Sequence, residues 1–163
     1  MAKYGKPETI EFLNNSGVTY EILEHEPVYT IEEMESAGIC AKGGIVKNLF
    51  LRDQKGKKHY LVVAPEDKKI NMAELADKIG STKLSFASAE RLEKYLGVAQ
   101  GSVTPLAVLN DENREVVVCF DEDIRKSDRI GIHPNENTAT VWMDFDDLVS
   151  IIEKNGNRIK FFK

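Results

Sequence analysis

Lys47 stands in the run Ile45-Val46-Lys47-Asn48-Leu49-Phe50-Leu51-Arg52, which has the composition and alternation of a strand. On that spacing it shares a face with Ile45, Leu49 and Leu51. An ammonium in an apolar stripe needs a partner, because burying it alone is costly. Either it guards a sheet edge with its stem lying along apolar surface, or it aims into a cleft at a phosphate or a carbonyl. Asn48 falls on the opposite face, between Val46 and Phe50, where strands disfavour Asn. Its amide either binds a ligand or satisfies a backbone group.

Two loops could supply further chemistry. Gly101-Ser102-Val103-Thr104-Pro105 pairs a glycine, which lets backbone N–H groups approach a ligand, with a proline that stiffens the loop. Such a loop can offer donors to a developing oxyanion, or it can be a plain connection. His133 ends a strand and is followed by Pro134-Asn135-Glu136-Asn137-Thr138-Ala139-Thr140. A half-exposed histidine with Asn and Thr close by could position substrate or water, and a turn stiffened by Pro and Asn is the plainer alternative. The other histidines, His25 and His59, form no HxH or HExxH with it, so no metal site is expected. No GxSxG elbow and no GxxxxGK[ST] loop is present.

Composition narrows the classes. The 163 residues suit one domain and one ordinary core. With 42% hydrophobic and 30% charged residues, the chain reads as globular. A net charge of -5 argues against coating nucleic acid by bulk charge, since such domains are strongly basic. Charge is nevertheless concentrated locally. Residues 42–58 hold Lys42, Lys47, Arg52, Lys55, Lys57 and Lys58 against Asp53 alone. That cluster is either a solvated hairpin tip or a contact for a phosphate backbone. No secretory leader and no apolar run of membrane-spanning length is visible. Cys40 and Cys119 stand alone, which fits a reducing cytoplasm, and Cys119 sits in the apolar run 116–120 as a core residue.

The elements that would position these residues follow from local signals. The sequence predicts helices over 7–16, 30–37, 71–80 and 88–96 and a last helix from Asp144 to Gly156. It predicts strands over 19–24, 45–52, 59–64, 84–87, 115–120, 129–133, 138–143 and 158–162. The polar turn 53–58 joins the second and third strands as a hairpin. Adjacent strands with short turns imply much antiparallel pairing under packed helices, a mixed α/β (α+β) layer fold without doubly wound order.

Together these segments are more specific than any one of them. Val46-Lys47-Asn48-Leu49-Phe50-Leu51, Tyr60-Leu61-Val62-Val63, Gly101–Pro105, and His133-Pro134 with Asn137–Thr140 resemble the prolyl-tRNA editing (YbaK/ProX-like) family. The early His25-Glu26-Pro27-Val28-Tyr29-Thr30 fits too, so the likeness covers nearly the whole chain. The resemblance implies a compact, largely antiparallel, barrel-like mixed sheet with packed helices over residues 1–163. It implies a free-standing, cytoplasmic hydrolase that removes a wrong amino acid from tRNA in trans, with no cofactor or metal. It makes Lys47 the key lysine, Gly101 part of the loop beside the aminoacyl group, and His133 the histidine of the alanine-editing branch. Asn48, Ser102, Thr104, Pro105, His25, Thr30 and Asn137 would line the substrate site. Gly101 and Ser102 N–H groups would hold the carbonyl oxygen, and Lys55, Lys57 and Lys58 would meet tRNA.

That reading favours Ala-tRNA(Pro), attacked by water, because His133 is present and the loop reads Gly-Ser-Val-Thr-Pro. The alternatives are a Cys-tRNA(Pro) or broader deacylase, and a non-catalytic module that binds a tRNA end or an amino acid. Partners would be mischarged tRNA(Pro), with a prolyl-tRNA synthetase or an elongation factor as its carrier, and no membrane.

Overall fold

A computed structural model describes residues 4–27 and 44–163. The helix expected over 30–37, and Thr30 with it, lie outside the described residues. Along the chain come α1 (Lys6–Ser16), β1 (Tyr20–Glu24), β2 (Val46–Arg52), β3 (His59–Pro65), α2 (Met72–Ile79), β4 (Ser85–Phe86) and α3 (Ala89–Leu96). They are followed by β5 (Val116–Asp121), β6 (Arg129–Ile132), β7 (Ala139–Asp144), α4 (Phe145–Asn155) and β8 (Ile159–Phe162). Two 3-10 helices, Pro105–Asn110 and Glu122–Lys126, were not expected from the sequence. Both are too short to show a hydrophobic period.

The helix ends follow their signals. The Asn71 side chain accepts from Glu74 N–H, and the Ser88 hydroxyl accepts from Arg91 N–H, each satisfying a first-turn donor. Gly80 and Gly97 close these helices in the left-handed conformation.

The strands form two sheets in the orders β1-β7-β6 and β4-β2-β3-β5-β8. β3–β5 and β5–β8 run parallel, and the remaining pairs are antiparallel. The mixed α/β architecture is as expected, while the strands form two open sheets and do not close into a barrel. One isolated parallel bridge, Ile45–Gly131, joins the two sheets. Gly131 N–H donates to Gly44 O across this seam at 3.0 Å. A Cβ at Gly131 would lie 2.8 Å from Ile45 Cδ1 and 2.9 Å from Trp142 Nε1, so glycine is what lets the sheets approach.

Both faces of the larger sheet are covered. Phe50, Leu61, Val63, Val118 and Phe120 join α3, α4 and the first 3-10 helix in the main core. Leu51, Tyr60, Val62 and Cys119 pack under α2 in a smaller one. Cys119 is fully buried, and burial pushes its thiol up to about 12, which makes it inert.

Candidate active site

β2 separates its two polar residues. Leu49 and Leu51 belong to the smaller core, and Lys47 points to that side, where its Nζ donates to the Lys68 carbonyl. Nearby, Lys68 is itself held by Asp121 at 2.6 Å and Asp123 at 2.8 Å, which raises its pKa. Asn48 faces the other way, beside Val46, into a recess at the seam between the sheets. Ile45, expected to share the Lys47 face, also lines this recess, because it sits in the bridge ahead of β2 proper.

The recess is small, about 30 Å³. Ile45, Val46 and Ile132 supply apolar walls, and Asn48, His133 and Thr140 supply the polar side chains. Asn48 Oδ1 is buried and has no hydrogen-bond partner among the described residues. A buried acceptor left empty costs about 1–3 kcal/mol, so it marks a place where a donor belongs.

His133 is fixed by its neighbours. Its Nδ1 lies 3.1 Å from Ala139 O, and the buried Thr104 hydroxyl donates to His133 O at 2.6 Å. A carbonyl can only accept, so Nδ1 carries the proton, and Nε2 holds the lone pair in the neutral ring. Burial lowers the pKa of His133, the Ala139 carbonyl opposes that shift, and the nearby His25 adds to it. His25 Nε2 lies 2.9 Å from Thr140 Oγ1, so His25 reaches the recess through Thr140 and does not line it.

The Gly101–Pro105 loop contributes differently from the expectation. Ser102 N–H donates to Ala99 O at 3.1 Å, closing a turn, so it is not a free donor for a substrate carbonyl. Gly101, at φ 89°, is exposed and makes that turn possible. Thr104 and Pro105 are buried, and Thr104 ties the loop to the backbone of His133. Asn137 is buried in the loop before β7. Asn135 Nδ2 donates to Tyr4 O at 2.8 Å, fastening that loop to the start of the chain.

Lys55, Lys57 and Lys58 are exposed at the β2–β3 turn, where Lys57 and Lys58 N–H groups donate to Asp53 Oδ1. At roughly 3.3 Å per residue, the tip lies some 15–20 Å along β2 from Asn48. No group of three or more His, Cys, Asp or Glu side chains able to hold a metal occurs among the described residues. No helix among them is long and apolar enough to cross a membrane.

The sequence reading named Thr140 in the segment after His133 but gave it no role of its own, and the structure places it in the lining of the recess. Alternation along β7 was a usable signal, since Thr140 shares a face with the buried Trp142.

Comparison with known proteins decides the family. The model of the aminoacyl-tRNA editing domain matches residues 25–151. The chain belongs to the aminoacyl-tRNA editing domain family. It is 52% identical over 155 residues to the prolyl-tRNA editing protein ProX of Acetoanaerobium sticklandii, covering 95% of this chain and 94% of that one. It is 33% identical over 151 residues to prolyl-tRNA synthetase associated domain-containing protein 1 of Danio rerio, covering 91% and 82%. The proline–tRNA ligase of Limosilactobacillus fermentum matches 67% of this chain at 28% identity, within 19% of its own length. Among solved structures, a candidate trans-editing enzyme for prolyl-tRNA synthetase superposes with a TM-score of 0.71 at 19% identity, covering 97% and 96%. That likeness establishes the editing-domain fold.

Proposed function

We propose that this editing domain hydrolyses the ester between alanine and tRNA(Pro), acting in trans. The observation that carries this reading is the small recess in which Asn48 Oδ1 has no hydrogen-bond partner among the described residues, beside His133 and Thr140. Its aliphatic walls suit a methyl group, and its small size supports a small side chain such as that of alanine over a pyrrolidine ring. The end-to-end match to a protein named for prolyl-tRNA editing supports tRNA(Pro) and action in trans. The short match within a proline–tRNA ligase supports a working association with that synthetase.

The chemistry needs no protein nucleophile, because an aminoacyl ester is already activated. Water attacks the carbonyl carbon, and His133 accepts its proton at Nε2, the nitrogen that holds the lone pair when Nδ1 bonds the Ala139 carbonyl. The C–O bond to the ribose then breaks, and the proton passes to the leaving ribose oxygen. Lys47 lies on the other face of β2 from the recess, so the cation it offers suits a phosphate outside the recess and not the ester itself. The partner of Lys47 is a neutral carbonyl, which a phosphate can replace, whereas Lys68 is committed to two carboxylates.

A panel of Ala, Cys, Ser and Pro on the same tRNA(Pro), with deacylation followed for each, tests the reading. Alanine release well above the buffer rate, with proline retained, is expected. No release of alanine overturns the activity. Faster release of cysteine overturns the specificity. Tight binding of charged and uncharged tRNA without turnover would make the domain a binding module.

A further inference from the structure

His25 and Thr140 lie 115 positions apart in sequence and meet at the recess. His25 Nδ1 is 2.8 Å from Glu26 O, and a carbonyl oxygen can only accept. The hydrogen-bond network therefore assigns the ring proton to Nδ1, and in the neutral imidazole Nε2 is an acceptor. Its partner at 2.9 Å is Thr140 Oγ1, so the Thr140 hydroxyl proton is directed at His25. The oxygen of Thr140 is left with lone pairs to present, and Thr140 is buried and lines the recess.

We propose that Thr140 is a further substrate-site residue, and that His25 acts through it as a positioning residue by holding its hydroxyl as an acceptor. This rests on the deacylase reading above. With Asn48 Oδ1 and His133 Nε2, the Thr140 oxygen completes a set of acceptors around one small space. Lys47 is turned to the other face of β2, so its charge does not supply the missing donor. The occupant must bring N–H or O–H groups. Two constituents of the reaction do so, the amino group of the aminoacyl ester and the attacking water.

The test uses alanyl-tRNA(Pro) with Thr140→Val, Thr140→Ser, His25→Phe and the Thr140→Val/His25→Phe pair. Valine keeps the shape of threonine and removes the hydroxyl, and serine restores it. Thr140→Val is expected to lower kcat/KM roughly 10- to 100-fold, with Thr140→Ser within a few fold of the unmodified protein. His25→Phe should fall in the same direction, and the pair should be no worse than the poorer single variant, because the two residues act as one unit. A merely structural role would make the losses additive and would not be rescued by serine. Full activity of Thr140→Val, or additive losses, overturns the inference.

N-methylalanyl-tRNA(Pro) distinguishes the two occupants. If Thr140 receives the amino group, Thr140→Val narrows the difference between the alanyl and N-methylalanyl esters. If it receives water, the ratio is unchanged and the loss lies in kcat. Either result supports the acceptor role. Binding of a non-hydrolysable alanylamide of the tRNA 3′ end separates this inference from the activity. Binding without hydrolysis of any ester removes the deacylase reading, and Thr140 is then judged by whether Thr140→Val weakens that binding. Equal binding by both proteins overturns it.

Discussion

Lys47 and Asn48 are adjacent in β2, yet they serve opposite sides of the sheet. The Lys47 ammonium rests on the Lys68 carbonyl, and the Asn48 amide oxygen, without a partner among the described residues, lies in the recess beside His133. The two-residue period of a strand makes this unavoidable. A protein built only for stability would put an aliphatic residue between Val46 and Phe50. Asn48→Val is therefore expected to raise stability by about 1 kcal/mol, roughly 2–4 °C in Tm, and to lower alanine release at least about 10-fold. Thermal melts and deacylation rates on the same preparation check it. A variant both less stable and fully active would contradict the role of Asn48.

His133 makes the rate depend on pH in one direction. The proton-accepting role proposed for His133 requires the neutral ring, and burial lowers the pKa from its ordinary 6.5. The neutral form thus predominates at lower pH than for a free imidazole. After subtraction of spontaneous ester hydrolysis, kcat/KM should rise with pH through a midpoint below 6.5 and level off before neutrality. His133→Gln should remove that midpoint. A midpoint above 7 would point to a different titrating group.

Much of the frame was legible because its signals are local. Asn71 and Ser88 before their helices, Gly80 and Gly97 after them, and the polar turn at 53–58 each act within a few residues. The site was legible only in part. The alternation of β2 separated Lys47 from Asn48, and the sequence also marked His133. The seam Ile45–Gly131 and the His25–Thr140 pair depend on contacts between distant segments, which no local pattern encodes. Ser102 illustrates a second limit. A glycine-rich loop shows that backbone N–H groups can be exposed, whereas which of them closes the turn depends on its final dihedral angles.

His59 is the titratable residue that the sequence left without a role. Its ring lies between Phe50, at 5.5 Å, and Tyr95, at 4.2 Å, and Arg91 Nη1 donates toward its Nε2. Burial and then the Arg91 charge lower its pKa to about 4. An unfolded chain regains the ordinary 6.5, so the unfolded state binds more protons between these values and stability falls as pH drops from 6.5 to 4. The contribution is fully present above 6.5, and its loss should amount to at most about 3 kcal/mol. Denaturant midpoints across that range, compared with His59→Gln, should show a shallower decline in the variant. Identical slopes would remove His59 as the cause.

The lysines of the β2–β3 turn lie too far along the hairpin to touch a group in the recess, and as proposed tRNA contacts they would meet more distant phosphates. Lys55, Lys57 and Lys58 are exposed and separated from Asn48 by roughly 15–20 Å along β2. The chain as a whole carries a net charge of -5, so a focused contact would hold the acceptor stem without retaining the product. Replacing all three by Ala should raise KM for alanyl-tRNA(Pro) and leave kcat nearly unchanged. The slope of log affinity against log salt should fall by up to about 2–3, the number of phosphate contacts removed. Three lysines changed elsewhere, such as Lys78, Lys83 and Lys154, should have a smaller effect. Equal effects of the two triple variants would reduce the tip to a solvated turn, and a fall in kcat would place these lysines nearer the chemistry than the hairpin allows.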